Sequence, residues 1–144
     1  MATHTADSEA VVRRFIDDGV DGRDYDLIEE LFTNDYARHD PVSPESEGGP
    51  GPRIESLRQL HRTFPDSEVH VGEVAPEGDL VAFEGTMTGA HEGAFMGVEP
   101  TGIEIEIQGN AMHRVGVGRI AETWATWDFL GLLQQIGAVD QQME

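Results

Sequence analysis

Apolar positions recur with a helical period through the first half of the chain and with a period of two through most of the second. In "DSEAVVRRFIDDGVDG" (7–22), Val11, Val12, Phe15 and Ile16 fall on one stripe, which predicts a helix capped at Asp7 or Ser8 and ended at Gly19 or Gly22. "DYDLIEELF" (24–32) predicts a second, short helix with Leu27, Ile28, Leu31 and Phe32 inward. "DYARHDP" (35–41) reads as an extended segment stopped by Pro41, and the Pro/Gly/Ser-rich "VSPESEGGPGP" (42–52) as a loop. "RIESLRQLHRTF" (53–64) predicts a third helix, closed by Pro65. Beyond it the alternation changes. "SEVHVGEVA" (67–75), "DLVAFEGTMTGAH" (79–91), "TGIEIEIQGNAMHRV" (101–115) and "GRIAETWATWD" (118–128) read as four strands, the last pair joined at "VGVG". A final helix is expected over 129–138. Helices followed by an antiparallel meander define an α+β domain spanning 1–144, with helices covering one face of a curved sheet.

Which side chains share a face depends on the turn between the last two strands. A two-residue turn at Gly116-Val117 would set His113 opposite Ile120. A three-residue loop with Gly118 in the left-handed region would set Arg114 there. The glycine before Arg119 favours the second register. Gln108, Asn110 and Arg114 then line the concave face with Trp124, while Ile103, Ile105 and Ile107 pack behind the sheet. An apolar ladder of that kind predicts a homodimer or higher homo-oligomer through the outer face.

Composition narrows the function. A chain of 144 residues with 38% hydrophobic content can bury a core. There is no cysteine, so neither a disulfide nor a thiolate nucleophile is available. His39, His61, His70, His91 and His113 stand at none of the usual metal-ligand spacings, and no GxSxG elbow occurs, so neither a metal site nor serine hydrolysis is expected. Charge is the loudest signal: 28 acids stand against 9 bases, all arginine, for a net charge of −19. Nucleic acid is an unfavourable partner for such a surface. No apolar stretch suits a membrane span, and the opening "MATHTADSEAVVRRF" lacks the apolar core of a secretory leader; a cytoplasmic halophilic protein is the expectation.

"HDP" (39–41), "FPD" (64–66), "GAHEGAFMGVEPTG" (89–102) and "GRIAETWATWDFLGLLQQIG" (118–137) resemble, in order and spacing, the SnoaL-like polyketide cyclases, or ester cyclases, of the NTF2-like superfamily. The resemblance extends over the chain after Asp7. It implies a cone in which a curved, mostly antiparallel sheet wraps a pocket under three N-terminal helices, with a short C-terminal helix. It also implies cofactor-free, metal-free chemistry on a small apolar carbonyl compound: an aspartate removes a proton α to a carbonyl, and the enolate closes a ring by intramolecular aldol attack. Asp128 matches the position of that aspartate.

An acid beside an indole in a dry pocket would have its pKa raised toward neutrality, as a general base needs; at a strand–helix junction the same carboxylate would be a helix cap. His39, at the expected pocket mouth, and His91, at the start of the Gly-rich crossover, are candidate substrate contacts, with Gln108, Asn110, Arg114 and Trp124. The alternatives are a non-catalytic NTF2-like module binding a small ligand or a partner and, less favoured, an epoxide hydrolase built on Arg114 between Glu122 and Asp128.

The acidic surface carries its own prediction. Raising salt from about 0.01 M to 1 M shortens the Debye length from roughly 30 Å to 3 Å, which screens carboxylate repulsion. The melting temperature, followed by circular dichroism, should rise between dilute and molar potassium chloride. A flat response would remove the halophile reading.

Overall fold

The computed structural model describes residues 2–41 and 48–139. In chain order the elements are α1 (Ala2–Arg14), a π-helical continuation (Phe15–Asp21), α2 (Tyr25–Leu31), β1 (Phe32–His39), α3 (Pro50–Thr63), β2 (Glu68–Glu77), β3 (Leu80–Ala90), β4 (Glu104–Gly116), β5 (Arg119–Trp127) and α4 (Phe129–Gln135). The predicted stripes are the buried ones: Val12, Phe15, Ile16, Leu27, Ile28, Leu31 and Leu57 all lie in the core. Gly19 lets α2 come close, since a Cβ there would meet the Ile28 side chain at 2.8 Å. Of the loop expected over 42–52, residues 42–47 lie outside the described ones, and Pro50, Gly51 and Pro52 instead form the first turn of α3. Proline is well suited there because its missing N–H would have no helical partner.

The sheet has the order β1-β5-β4-β3-β2. β2 to β5 form the expected antiparallel meander. The segment read as a short extended piece joins it as a fifth strand, pairing parallel to β5 with Arg38 opposite Thr123 and His39 opposite Trp124.

The β4–β5 turn follows neither register considered above. Gly116 faces Arg119, and the two residues between them, Val117 and Gly118, both have positive φ, at 52° and 76°. That is the backbone of a tight hairpin turn whose twist matches its strands. Val115 then pairs with Ile120 but Arg114 with Glu122, so Ala121 is an unopposed bulge residue. Ile105, Ile107, Ala111, His113 and Val115 are buried on the inner face, with Ile120, Thr123 and Ala125 from β5. Gln108, Asn110, Met112, Arg114, Glu122 and Trp124 belong to the outer, convex face. The isoleucine ladder is thereby corrected. Ile105 and Ile107 pack under Phe64, Met87, Leu132 of α4 and Ile136 just beyond it, leaving Ile103 exposed. The inferred dimer face loses its basis.

Val117 is fully exposed and β-branched, yet held in the left-handed region. Such a residue is strained there, whereas asparagine is favoured. Val117→Asn should stabilise the protein by about 1 kcal/mol, a few degrees in melting temperature. An unchanged or lower melting temperature would contradict the turn assignment.

Candidate active site

Between the helices and the concave face lies a cavity of about 270 Å³. It sits where two hydrophobic clusters meet, one centred on Phe15, Ile28 and Phe83, the other on Phe64, Met87 and Ile107. Phe83, Met87, Phe95, Trp127 and Phe129 contribute apolar walls. Trp127 can lie inward because its pairing partner is Gly109, where any Cβ would fall 2.3 Å from the indole. The segment 91–103 brings in Phe95; its Gly93 passes so close to α3 that a Cβ would meet the Arg62 carbonyl at 2.4 Å.

The cavity's ionisable and phenolic groups are few. Alternation along β1 turns Tyr36, Arg38 and then Asp40 inward; α3 supplies Arg53 and β4 supplies His113. Arg38 donates to the Asp40 carboxylate at 3.1 Å, and that side chain is only 8% exposed. Asp40 is the one carboxylate among the described residues lining this cavity. The Tyr36 hydroxyl and Arg53 Nε are buried without a hydrogen-bond partner. His113 shares a 2.7 Å hydrogen bond between Nδ1 and the Thr123 hydroxyl and lies against Phe15 and Phe83. Burial, aided by the charges of Arg53 and Arg38, pushes the His113 pKa down to about 3. Burial also pushes Arg53 down to about 9, with the Arg38 charge adding to the effect, so the guanidinium keeps its charge at neutral pH.

The residues expected to form the site fall elsewhere. Gln108, Asn110, Arg114 and Trp124 are on the convex face, because the Ala121 bulge sets the phase of β5 and the two-residue turn sets that of β4. There Arg114 bonds Asp79 at 3.2 Å and approaches Glu122 at 3.8 Å, its guanidinium 5.8 Å from the Trp124 ring centre. The acid–arginine trio that an epoxide hydrolase would need is therefore not gathered in the cavity. His39, one residue before Asp40, points outward, stacks on Trp124 and bonds Glu122 at 2.7 Å.

His91 is wholly buried and does not line the cavity. Its Nδ1 accepts from the Thr101 backbone N–H at 3.2 Å, and its own backbone N–H bonds the Ile103 carbonyl, fastening the 91–103 segment. Asp128 is exposed at the start of α4, where its carboxylate accepts from the Gly131 N–H at 2.8 Å. Gly131 leaves room for that carboxylate, since a Cβ would come within 2.2 Å of it. Asp128 thus sits outside the cavity wall, and the indole on the cavity side is Trp127. Asp40, Tyr36 and Arg53 escaped the sequence reading. Asp40 lies within "HDP", and the alternation of β1 is the signal that singles it out.

An open α+β cone with a one-sided apolar cavity defines the NTF2-like class. Within it, the chain belongs to the SnoaL-like polyketide cyclase family, whose model matches residues 10–136. A candidate SnoaL-like polyketide cyclase from Jannaschia sp. CCS1 is 27% identical over 94% of this chain and 95% of its own, with a TM-score of 0.86. IdmH, a candidate polyketide cyclase from Streptomyces antibioticus, is 28% identical over 90% and 98%, with a TM-score of 0.80. AclR from Streptomyces galilaeus, a candidate hydroxylase, shares the fold at a TM-score of 0.85 and 23% identity, over 97% of this chain and 87% of its own. No functionally curated protein matches the sequence. No helix among the described residues is long and apolar enough to cross a membrane.

The buried imidazoles set a pH dependence. His61, bonded through Nδ1 to the Tyr25 hydroxyl at 2.5 Å, is pushed to about 4 by burial, helped by the charges of Arg23 and Arg53. An unfolded histidine titrates near 6.5. Below that value the unfolded chain takes up protons that the folded one refuses. The stability contributed by neutral His61 and His113 is therefore complete above pH 6.5. It falls as pH drops, down to about 4 for His61 and about 3 for His113. Each group adds a slope of up to about 1.4 kcal/mol per pH unit inside its window. Urea unfolding of His113→Gln across pH 3.5–6.5 should show a shallower loss than wild type; an equal slope would refute the assignment.

Proposed function

We propose that this protein catalyses proton abstraction α to a carbonyl, followed by intramolecular aldol ring closure, on a small apolar carbonyl compound held in the interior cavity, with Asp40 as the general base. The observation that carries the reading is the Asp40 carboxylate, its side chain 8% exposed and the one acid among the described residues on a largely apolar cavity wall. The bond to Arg38 fixes its orientation. The Asp40 carboxylate takes the α-proton, and the electron pair passes to the carbonyl oxygen as an enolate. The enolate carbon attacks a second carbonyl of the same molecule, and the new alkoxide recovers the proton from the Asp40 carboxylic acid. The Tyr36 hydroxyl, buried and without a partner, is a donor suited to the enolate oxygen. The aromatic walls exclude water, which strengthens both interactions. Family membership supports the reaction class.

The test is α-proton exchange of small aryl ketones in deuterated buffer, followed by NMR, which reads the base without requiring ring closure. Asp40→Asn should lower exchange by about 10²–10⁴-fold, the usual cost of removing a general base. Asp128→Asn should exchange normally, because asparagine caps a helix nearly as well as aspartate. The reverse result, with Asp128→Asn inactive and Asp40→Asn active, would return the base to Asp128, as the family resemblance has it. No exchange by the wild type with any ketone would favour a non-catalytic ligand-binding module.

A further inference from the structure

We infer that the cavity receives a ligand carrying a free carboxylate, and that Arg53 is the residue that binds it. This rests on the interior cavity being the substrate site, and it specifies which molecules enter. Arg38 is matched by Asp40 at 3.1 Å. Arg53 has no carboxylate within ion-pair distance among the described residues, and its Nε is buried with no hydrogen-bond partner. The imidazole of His113 on the same wall stays neutral. The described lining therefore sets two guanidiniums against one carboxylate, in a chain with a net charge of −19.

An unpaired charge out of water costs several kcal/mol unless an anion meets it. Of the described acids, Asp40 acts on Arg53 through its charge but makes no ion pair with it, and it is already bonded to Arg38. Arg13 and Arg62, by contrast, are paired with Glu9 and Glu55 at the surface. The backbone points the same way. Arg53 lies near the start of α3, whose N-terminal residues Gly49 and Pro52 also line the cavity, and no side chain caps that end. The positive end of the helix dipole thus adds to the guanidinium charge.

A carboxylate fits better than a phosphate. One guanidinium balances a monoanion and offers it two parallel hydrogen bonds, whereas a dianion would leave a net negative charge against Phe83, Met87 and Trp127. An enolate formed during reaction does not account for the arrangement, because the charge is present in the resting protein. A volume of about 270 Å³ suits a body of bicyclic size.

The probes are 2-naphthoate and its methyl ester, titrated against the full chain in 1 M potassium chloride by calorimetry and by Trp127 fluorescence, with Trp124→Phe removing the other indole. The acid should bind about ten- to a hundredfold more tightly than the ester, the ordinary worth of a charge-assisted hydrogen bond. Molar salt should not erase that preference, because buried pairs are poorly screened. Arg53→Met should abolish the preference for the acid over the ester. Equal or tighter binding of the ester by wild type, or a preference retained in Arg53→Met, overturns the carboxylate and leaves the cavity as a ligand site. If neither compound binds, the cavity reading falls too. Thermal shifts of the wild type alone, larger for the acid than for the ester, decide the matter should Arg53→Met fail to fold; equal shifts overturn the inference.

Discussion

Ala121 has no partner across the β4–β5 hairpin, and the site depends on that single unpaired residue. Side chains in a strand alternate faces, so one inserted residue reverses the assignment of everything beyond it. Ile120 is inward before the bulge, and Thr123, Ala125 and Trp127 are inward after it. Without the extra residue, a β5 anchored by Ile120 in the core would turn Glu122 and Trp124 inward. The cavity would then be lined by an acid and the wrong indole. The bulge also sets the phase that β1 inherits through its parallel pairing, Arg38 beside Thr123 and His39 beside Trp124. Asp40 reaches the interior, and His39 the exterior, as a consequence of where β5 kinks.

This explains which parts of the molecule were legible in the sequence. The helical stripes and the meander were readable because periodicity is a local property, and burial acts on it directly. The faces of the strands were not. They depend on a turn, Val117-Gly118, that seats a β-branched residue in a conformation local propensity argues against, and on a bulge that no residue type announces. β1 was visible as an extended piece, but its parallel partner lies more than eighty residues away in sequence. The turn and the bulge together exchange the faces: Asp40, His113 and Trp127 stand inside where His39, Arg114 and Trp124 were expected, each pair one or a few positions apart. Asp128 is ambiguous in the sequence, since a carboxylate ahead of "FLGLL" reads both as a base and as a cap. Gly131 favours the cap, because only a residue without a side chain leaves room for the carboxylate to fold back over the first turn of α4.

The two populations of charge obey different physics. Most carboxylates stand at the surface, where water and salt weaken each interaction and the net charge acts mainly through self-repulsion. The few charges around the cavity sit where screening is poor, so each must be answered locally. Arg38 is answered by Asp40. His113 is answered by losing its proton and sharing a hydrogen bond with Thr123. Arg53 does neither: at about 9 its pKa keeps it charged at neutral pH, and among the described residues it makes no ion pair, Asp40 acting on it only through its charge while bonded to Arg38.

The outer face uses the complementary set. His39, Trp124 and Arg114 stack and bond across β1, β5 and β4, with Glu122 between His39 and Arg114 and Asp79 beyond. These contacts tie the parallel edge strand to the hairpin from the side opposite the cavity. They support the strand on which Tyr36, Arg38 and Asp40 stand. The "HDP" segment therefore serves both faces of one strand. His39 helps hold β1 against β5, and the next residue presents the carboxylate whose position that contact steadies.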